Sequence, residues 1–266
     1  MFQEKELLGG NLAQVAQVGE TVRRTLKPWS SAIHGLLRHL ETAQFSECPR
    51  FLGIDEQGRE ILSYIEGEIG EGRPYLWSPA VLVAAAQLLR QYHDATAEYV
   101  AEHAQDSWQY IYPDRRRHEV ICHNDFAPYN LIFHEEMPVA LIDFDVAGPG
   151  PRLRDVAMGA YWFAPLSFSS DLTERSLEDI RAGSPRVHLF CESYGIEFTS
   201  ALLDMVEHWL WFMSTFPLEQ VKAGYTEYQK LIDEGHVDHW RREHHAFCEQ
   251  RPAISKNIKE TRCATF

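Results

Sequence analysis

Four residues near the middle of the chain, His123, Asp125, Asn130 and Asp143, lie within the stretch HNDFAPYNLIFHEEMPVALIDFD. Their types match the needs of phosphoryl transfer from a nucleoside triphosphate. That reaction asks for a carboxylate to take the proton of an attacking hydroxyl, and for an amide oxygen plus a second carboxylate to hold magnesium against the phosphates. Singly, each residue has a plainer explanation, because Asn and Asp favour turns by bonding their own backbone. The ordered pattern is what makes a motif of them: H-x-D-x-x-x-x-N, apolar run, turn, apolar run, I-D-F-D, then G-P-G-P-x-x-x-D.

Three short apolar runs at 120–122, 131–133 and 139–142 read as strands, with a polar turn of His134, Glu135 and Glu136 and then Pro138 between the last two. Residues 123–130 are then a loop hung between strands. Asp143 ends a strand so apolar that its carboxylate is expected to face a crevice rather than bulk water.

The spacing resembles the catalytic loop and metal-binding aspartate of the aminoglycoside phosphotransferase family, small-molecule kinases with a protein-kinase-like fold, whose usual pattern is H-G-D-x-x-x-x-N followed by I-D. Asn124 stands where glycine is commoner. The resemblance implies Asp125 as catalytic base, His123 as a hydrogen-bonding brace of the loop, and Asn130 and Asp143 as magnesium ligands. The run Gly148-Pro149-Gly150-Pro151-Arg152-Leu153-Arg154-Asp155 resembles the family's G-x-x-x-x-D segment, which implies that Asp155 is structural and ties down the catalytic loop. Sequences of this kind also resemble trifolitoxin-immunity-type proteins.

The fold implied is α+β and two-lobed, with a shortened mixed N-lobe over 1–68 and a mainly helical C-lobe over 69–266. Candidate strands at 12–18 and 21–26 flank Gly19-Glu20, preceded by a Gly9-Gly10-Asn11 turn. Ile33, Leu36, Leu37 and Leu40 fall at i, i+3, i+4 and i+7, a helix with one buried face. The segments 50–55 and 60–65 form a hairpin about Gln57-Gly58. In a kinase-like N-lobe, residues 63–67 are the linker that meets the nucleobase with backbone groups, which places Tyr64 and Ile65 beside the base. Kinases grip the phosphates with a lysine on the third strand. Here the candidates are Arg23 and Arg24; alternation turns only one inward, and Arg24 is the one assigned. The helix that would supply its glutamate offers Ile33 or His34, so that ion pair is either absent or replaced.

Ser78-Pro79 opens the next helix, whose stripe of Val81, Leu82, Ala85, Leu88, Leu89 and Tyr92 is core-facing. It ends at His93-Asp94-Ala95-Thr96, where the histidine reads as a capping or packing residue. Arg115, Arg116 and Arg117 read as a solvated turn. Beyond Asp155 the chain reads helical, with amphipathic stretches at 186–194 and 200–216. Trp209, Trp211, Phe212 and Phe216 read as core at helical spacing. His236, His239, His244 and His245 are dense, but His-x-x-His lacks a third metal ligand at a known spacing.

At 266 residues, 45% hydrophobic and 24% charged, the composition is that of a globular protein. No basic-plus-apolar leader and no apolar run of membrane-spanning length occurs, so the expectation is a cytoplasmic protein with no membrane partner. Five scattered cysteines without a C-x-x-C pair point to reduced thiols. The net charge of -14 argues against a nucleic-acid partner and is compatible with a cationic small molecule. The reading is therefore a phosphotransferase with an alcohol group as acceptor, using Mg2+ and ATP or GTP on a small-molecule substrate. The alternative is a nucleotide-binding immunity module with little or no turnover. Against a protein kinase stands the short path from Asp143 to Asp155, which leaves no room for an activation segment.

Overall fold

Strand alternation and helical periodicity divide the chain much as its pattern dictates in a computed structural model that describes residues 4–6, 15–164, 166 and 177–261. The Gly9-Gly10-Asn11 turn, residues 12–14 of the first expected strand and Cys263 lie outside the described residues. Two compact units emerge: Met1–Glu71 with Leu88–Asp155, and Gly72–Gln87 with Val156–Phe266. Residues 88–155, which carry the candidate catalytic stretch, belong with the first of these units.

In that unit β1 (Glu4–Glu6), β2 (Val15–Val18), β3 (Thr21–Thr25), β4 (Phe51–Ile54) and β5 (Arg59–Ser63) form an antiparallel sheet in the order β1-β2-β3-β5-β4. Helix α1 (Ser30–Thr42) buries Ile33, Leu36, Leu37 and Leu40, the i, i+3, i+4, i+7 set, and its His34 ring stacks on Phe51 with centroids 3.7 Å apart. Burying such a leucine side chain contributes roughly 1.5–3 kcal/mol, so this stripe is what fixes α1.

A short β6 (Glu68–Ile69) follows, then α2 (Pro79–Thr96) and α3 (Tyr99–His103). The stretch from 120 to 150 is built on small antiparallel pairings. β7 (Val120–Cys122) pairs with β10 (Gly148–Gly150), and β8 (Leu131–His134) lies between β6 and β9 (Met137–Leu141). β6 and β10 were not legible as strands: one is two residues long, and the other is Gly-Pro-Gly. A Cβ at Gly148 would lie 1.9 Å from the carbonyl oxygen of Tyr110, so only glycine lets these backbones approach. The β8–β9 turn places Glu135 and Glu136 at φ 48° and 65°, the left-handed values that a two-residue hairpin needs.

The second unit is helical. α4 (Arg152–Phe163), which begins in the first unit, α5 (Leu177–Tyr194), α6 (Ser200–Lys222), α7 (Gln229–Asp233) and α8 (His236–Thr261) follow one another. α6 packs on α8. Trp209, Trp240 and Tyr161 cluster with centroids 5.0 to 6.2 Å apart, and the Tyr161 hydroxyl donates to buried Glu243 at 2.5 Å. Trp209, Phe212 and Phe216 are core, whereas Trp211 is 48% exposed. α6 does not stop at 216 but continues through Pro217. Phe216 and Pro217 are buried there, and that burial offsets the hydrogen bond the proline removes. No helix among the described residues is long and apolar enough to cross a membrane.

Candidate active site

His123, Asp125, Asn130, Asp143 and Asp155 all lie in the first unit with Arg24. A short turn at Pro128–Asn130 leads straight into β8, so the loop is pinned at both ends by strands with buried side chains.

Asp125 sits between two donors. The Tyr129 hydroxyl donates to its Oδ1 at 2.9 Å and the Asn130 amide to its Oδ2 at 2.7 Å. Burial pushes its carboxyl up to about 7; the charge of Asp143 adds to the rise and the two hydrogen bonds oppose it. The Asn130 amide also donates to the backbone oxygen of Asp125 at 2.9 Å, so both amide hydrogens are committed and the amide oxygen is left for a cation.

His123 accepts from the backbone N–H of Asp125 at 3.3 Å through Nδ1 and donates through Nε2 to the Ile142 oxygen at 2.9 Å. One neutral ring thus joins the loop to the segment carrying Asp143. Burial lowers its pKa to about 4, against the pull of Asp155. Phe144 packs edge-on against this ring, centroids 4.8 Å apart.

Asp155 is fully buried and fully used. It accepts from the N–H of His123 at 2.6 Å and of Asn124 at 2.8 Å, and His93 Nε2 donates to it at 3.0 Å. Burial alone would raise this carboxyl, but the hydrogen bond and charge of His93, with His123, outweigh it and hold it below the usual carboxylate range. His93 is therefore more than a helix cap, a role its position in H-D-A-T did not disclose. Asn124, at φ 64°, accepts from Arg154 Nε at 2.5 Å and donates to the Val146 oxygen at 2.9 Å. Asparagine tolerates the left-handed conformation, and its side chain adds two tethers that a glycine lacks.

Asp143 also has positive φ, 62°, and its side chain is 45% exposed, more open than a crevice would leave it. Arg24 reaches it at 3.4 Å, bonds Asp145 more closely, and meets Glu60 at 3.3 Å. Burial by itself would lower the Arg24 pKa, but Asp145, Asp143 and Glu60 together raise it. Glu60 lies directly opposite Arg24 in the β3–β5 ladder and takes a 2.7 Å hydrogen bond from His34 of α1. The ion pair sought between β3 and the helix is thus replaced by a cross-strand pair backed by a histidine. Arg23 turns away, to Thr21 and Asp55.

At the end of β5, the Tyr64 N–H is committed to the Glu20 oxygen at 2.9 Å, whereas the backbone of Ile65 makes no hydrogen bond among the described residues. The site residues that sequence reasoning passed over are Glu60, Asp145, His93 and Tyr129. Glu60 left a readable signal, a carboxylate at an inward position of the alternating strand Arg59–Ser63.

The Asn130 amide and the Asp143 carboxylate offer oxygen donors, the type that a hard divalent cation such as magnesium takes.

The model of the phosphotransferase enzyme family matches residues 94–188. The trifolitoxin immunity protein of Rhizobium leguminosarum bv. trifolii is 36% identical over 202 residues, which is 74% of this chain and 76% of that protein. Among solved structures, the gentamicin complex of APH(2")-IIa aligns over 91% of this chain and 90% of its own, at 17% identity and a TM-score of 0.56. A choline/ethanolamine kinase family protein from Mesorhizobium loti aligns over 98% and 93%, at 15% identity and a TM-score of 0.60. At such identities these likenesses establish the fold alone, a protein-kinase-like α+β architecture.

Proposed function

Since this chain belongs to the phosphotransferase enzyme family, we propose that it is a small-molecule kinase that moves the γ-phosphate of ATP or GTP onto a hydroxyl of a small acceptor. The observation that supports this most is the geometry of Asp125, a part-buried carboxylate aimed by hydrogen bonds from Tyr129 and Asn130. Each Asp125 oxygen keeps a lone pair beyond the hydrogen bond it accepts, so it can take a proton as a base does.

In this reading Asp125 takes the acceptor proton as the hydroxyl oxygen attacks phosphorus. His123 stays neutral and fixes where Asp125 stands relative to the segment of Asp143. Asp155 holds the loop from beneath through the backbone of His123 and Asn124. Asn130 and Asp143 supply oxygen atoms that would hold magnesium, which when bound neutralises charge on the transferring phosphates. Arg24 supplies the cation that kinases carry as a strand lysine. Ile65 meets the nucleobase with its backbone, since the N–H of Tyr64 is already used.

The acceptor is proposed to be hydroxylated and cationic. Gentamicin and choline, the small molecules in the names of the two fold relatives, have this character, and the chain's charge of -14 attracts it. The 36% identity with an immunity protein favours one competing reading, a module that binds nucleotide and protects without turnover. A nucleotide-release assay over aminoglycosides and amino alcohols, with Mg·ATP and Mg·GTP, separates the two. Acceptor-dependent turnover lost in Asp125→Asn supports the kinase; nucleotide binding with no turnover on any acceptor supports the immunity module.

A further inference from the structure

The histidine-rich stretch of α8 has no part in the site above. Two of its imidazoles have simple partners: His236 meets Glu234 at 3.5 Å and His245 meets Glu249 at 3.3 Å. His244 is different. Its Nε2 lies 3.6 Å from the Sγ of Cys248, one turn along the same helix. Glu207 of α6 completes a group in which one ligand atom from each of the three residues lies within 4.8 Å of the others. Bonds of about 2.3 Å to sulfur and about 2.0–2.1 Å to nitrogen, opened to the tetrahedral angle, separate the two ligand atoms by roughly 3.6 Å. The His244–Cys248 pair already stands at that spacing.

Two further observations point the same way. Arg251 Nη1 donates to Glu207 Oε2 at 2.5 Å and its Nη2 bonds Asp204, which orients the Glu207 carboxylate as an outer partner orients a metal ligand. A cavity of about 430 Å³, lined by Asp204, Glu207, His208, Trp211, His244 and Arg251, adjoins the group. All three candidate ligands are half-buried, so an ion has a path to them.

We propose that Glu207, His244 and Cys248 form a second metal site, for a borderline divalent cation of the zinc type, with water from the cavity as the fourth ligand. A thiolate and an imidazole select such an ion over magnesium. On binding, the Cys248 S–H bond gives way to a sulfur–metal bond and the proton leaves to water; thiolate and carboxylate then balance the ion's two charges. The site shares no residue with the phosphoryl-transfer centre. Its effect is to clip α6 to α8 beside the cavity.

The test is a Co2+ titration of the full-length, fully reduced protein in saturating Mg2+, which occupies the oxygen-only site. The wild type should develop a sulfur-to-cobalt charge-transfer band with strong tetrahedral visible bands, reversed by Zn2+. Cys248→Ser should lose the charge-transfer band. His244→Ala and Glu207→Gln should each weaken binding by at least ~10-fold, the scale on which even outer-shell changes act. Circular dichroism establishes that each variant is folded. If Cys248→Ser does not fold, the other two variants decide. The proposal is overturned if the wild type shows no thiolate band up to millimolar Co2+, if Cys248→Ser keeps it, or if His244→Ala and Glu207→Gln bind as the wild type does.

Discussion

Replacing Asp125 by asparagine should cut turnover and, at neutral to alkaline pH, make the nucleotide-free protein more stable. The carboxyl rises from 3.8 to about 7 in the folded protein. At 1.36 kcal/mol per unit, ionised Asp125 is disfavoured by about 4 kcal/mol in the fold relative to the unfolded chain. Because the folded pKa is the higher one, the associated stability is fully present below pH 3.8 and is lost progressively up to about pH 7. Between pH 5 and 8.5 the wild type should lose roughly 2–3 kcal/mol from this group, and residual solvent contact brings the figure toward the lower end. An amide at this position has no such titration. Its oxygen can still accept from Asn130, and its nitrogen can donate to the Tyr129 hydroxyl, which accepts as readily as it donates. Urea unfolding of both proteins at the two pH values gives the result as a difference of differences, so the other titrating groups cancel. Acceptor turnover should fall about 10²- to 10⁴-fold in the same variant. A stability gap that does not change with pH would refute the buried, raised carboxylate, and undiminished turnover in the folded variant would refute its role as base.

Four other outcomes follow from the geometry. Asp143→Ala should weaken Mg·ATP and Mg·GTP binding by at least ~10-fold in calorimetry, and Asn130→Ala by less, since an amide ligand carries no charge; equal affinities in all three proteins would remove both residues from the metal. Arg24→Ala leaves Glu60 and Asp145 without their cation and should cost about 3–5 kcal/mol in denaturant unfolding, much of it recovered when Arg24→Met is combined with Glu60→Gln and Asp145→Asn; a neutral single variant would deny the cluster. The double change Glu135→Asn, Glu136→Gly should raise stability by about 1 kcal/mol, because those types accept the left-handed angles of the β8–β9 turn, and a lowered melting temperature would contradict the turn assignment. If charge steers a cationic acceptor, its kcat/KM should fall with added salt, whereas that of a neutral sugar should not; parallel salt series on the two substrate types check it.

The arrangement of the candidate catalytic stretch was legible because it is local: the spacing from His123 to Asp143 is written in one run of sequence, with strands whose apolar character is plain. The partners of that stretch were harder to see, because they come from elsewhere in the chain. His93 is 62 residues from Asp155, and no pattern in α2 marks it as a donor to a buried carboxylate. α6 continues past Pro217 for a similar reason, since propensity alone ends the helix there while burial of Phe216 and Pro217 carries it on. β10 escaped because Gly-Pro-Gly has no strand propensity; its conformation is dictated by the close approach of Tyr110 and by pairing with β7.

The replaced ion pair shows how a change of residue type redirects a search. A lysine on β3 with a glutamate on the following helix is a long-range pair, fixed only as well as the helix is. With arginine at position 24, no glutamate stands near His34 in α1, and the loss looks like decay. Yet Glu60 faces Arg24 across the ladder, where the register fixes both backbones and oppositely charged side chains attract directly. His34 then serves the carboxylate and not the cation, through its 2.7 Å bond to Glu60. The planar guanidinium lies within ion-pair distance of Glu60, Asp143 and Asp145 at once, which a single ammonium on a flexible stem does less well. Arg24 and Glu60 are therefore preorganised by the sheet, and α1 only braces them.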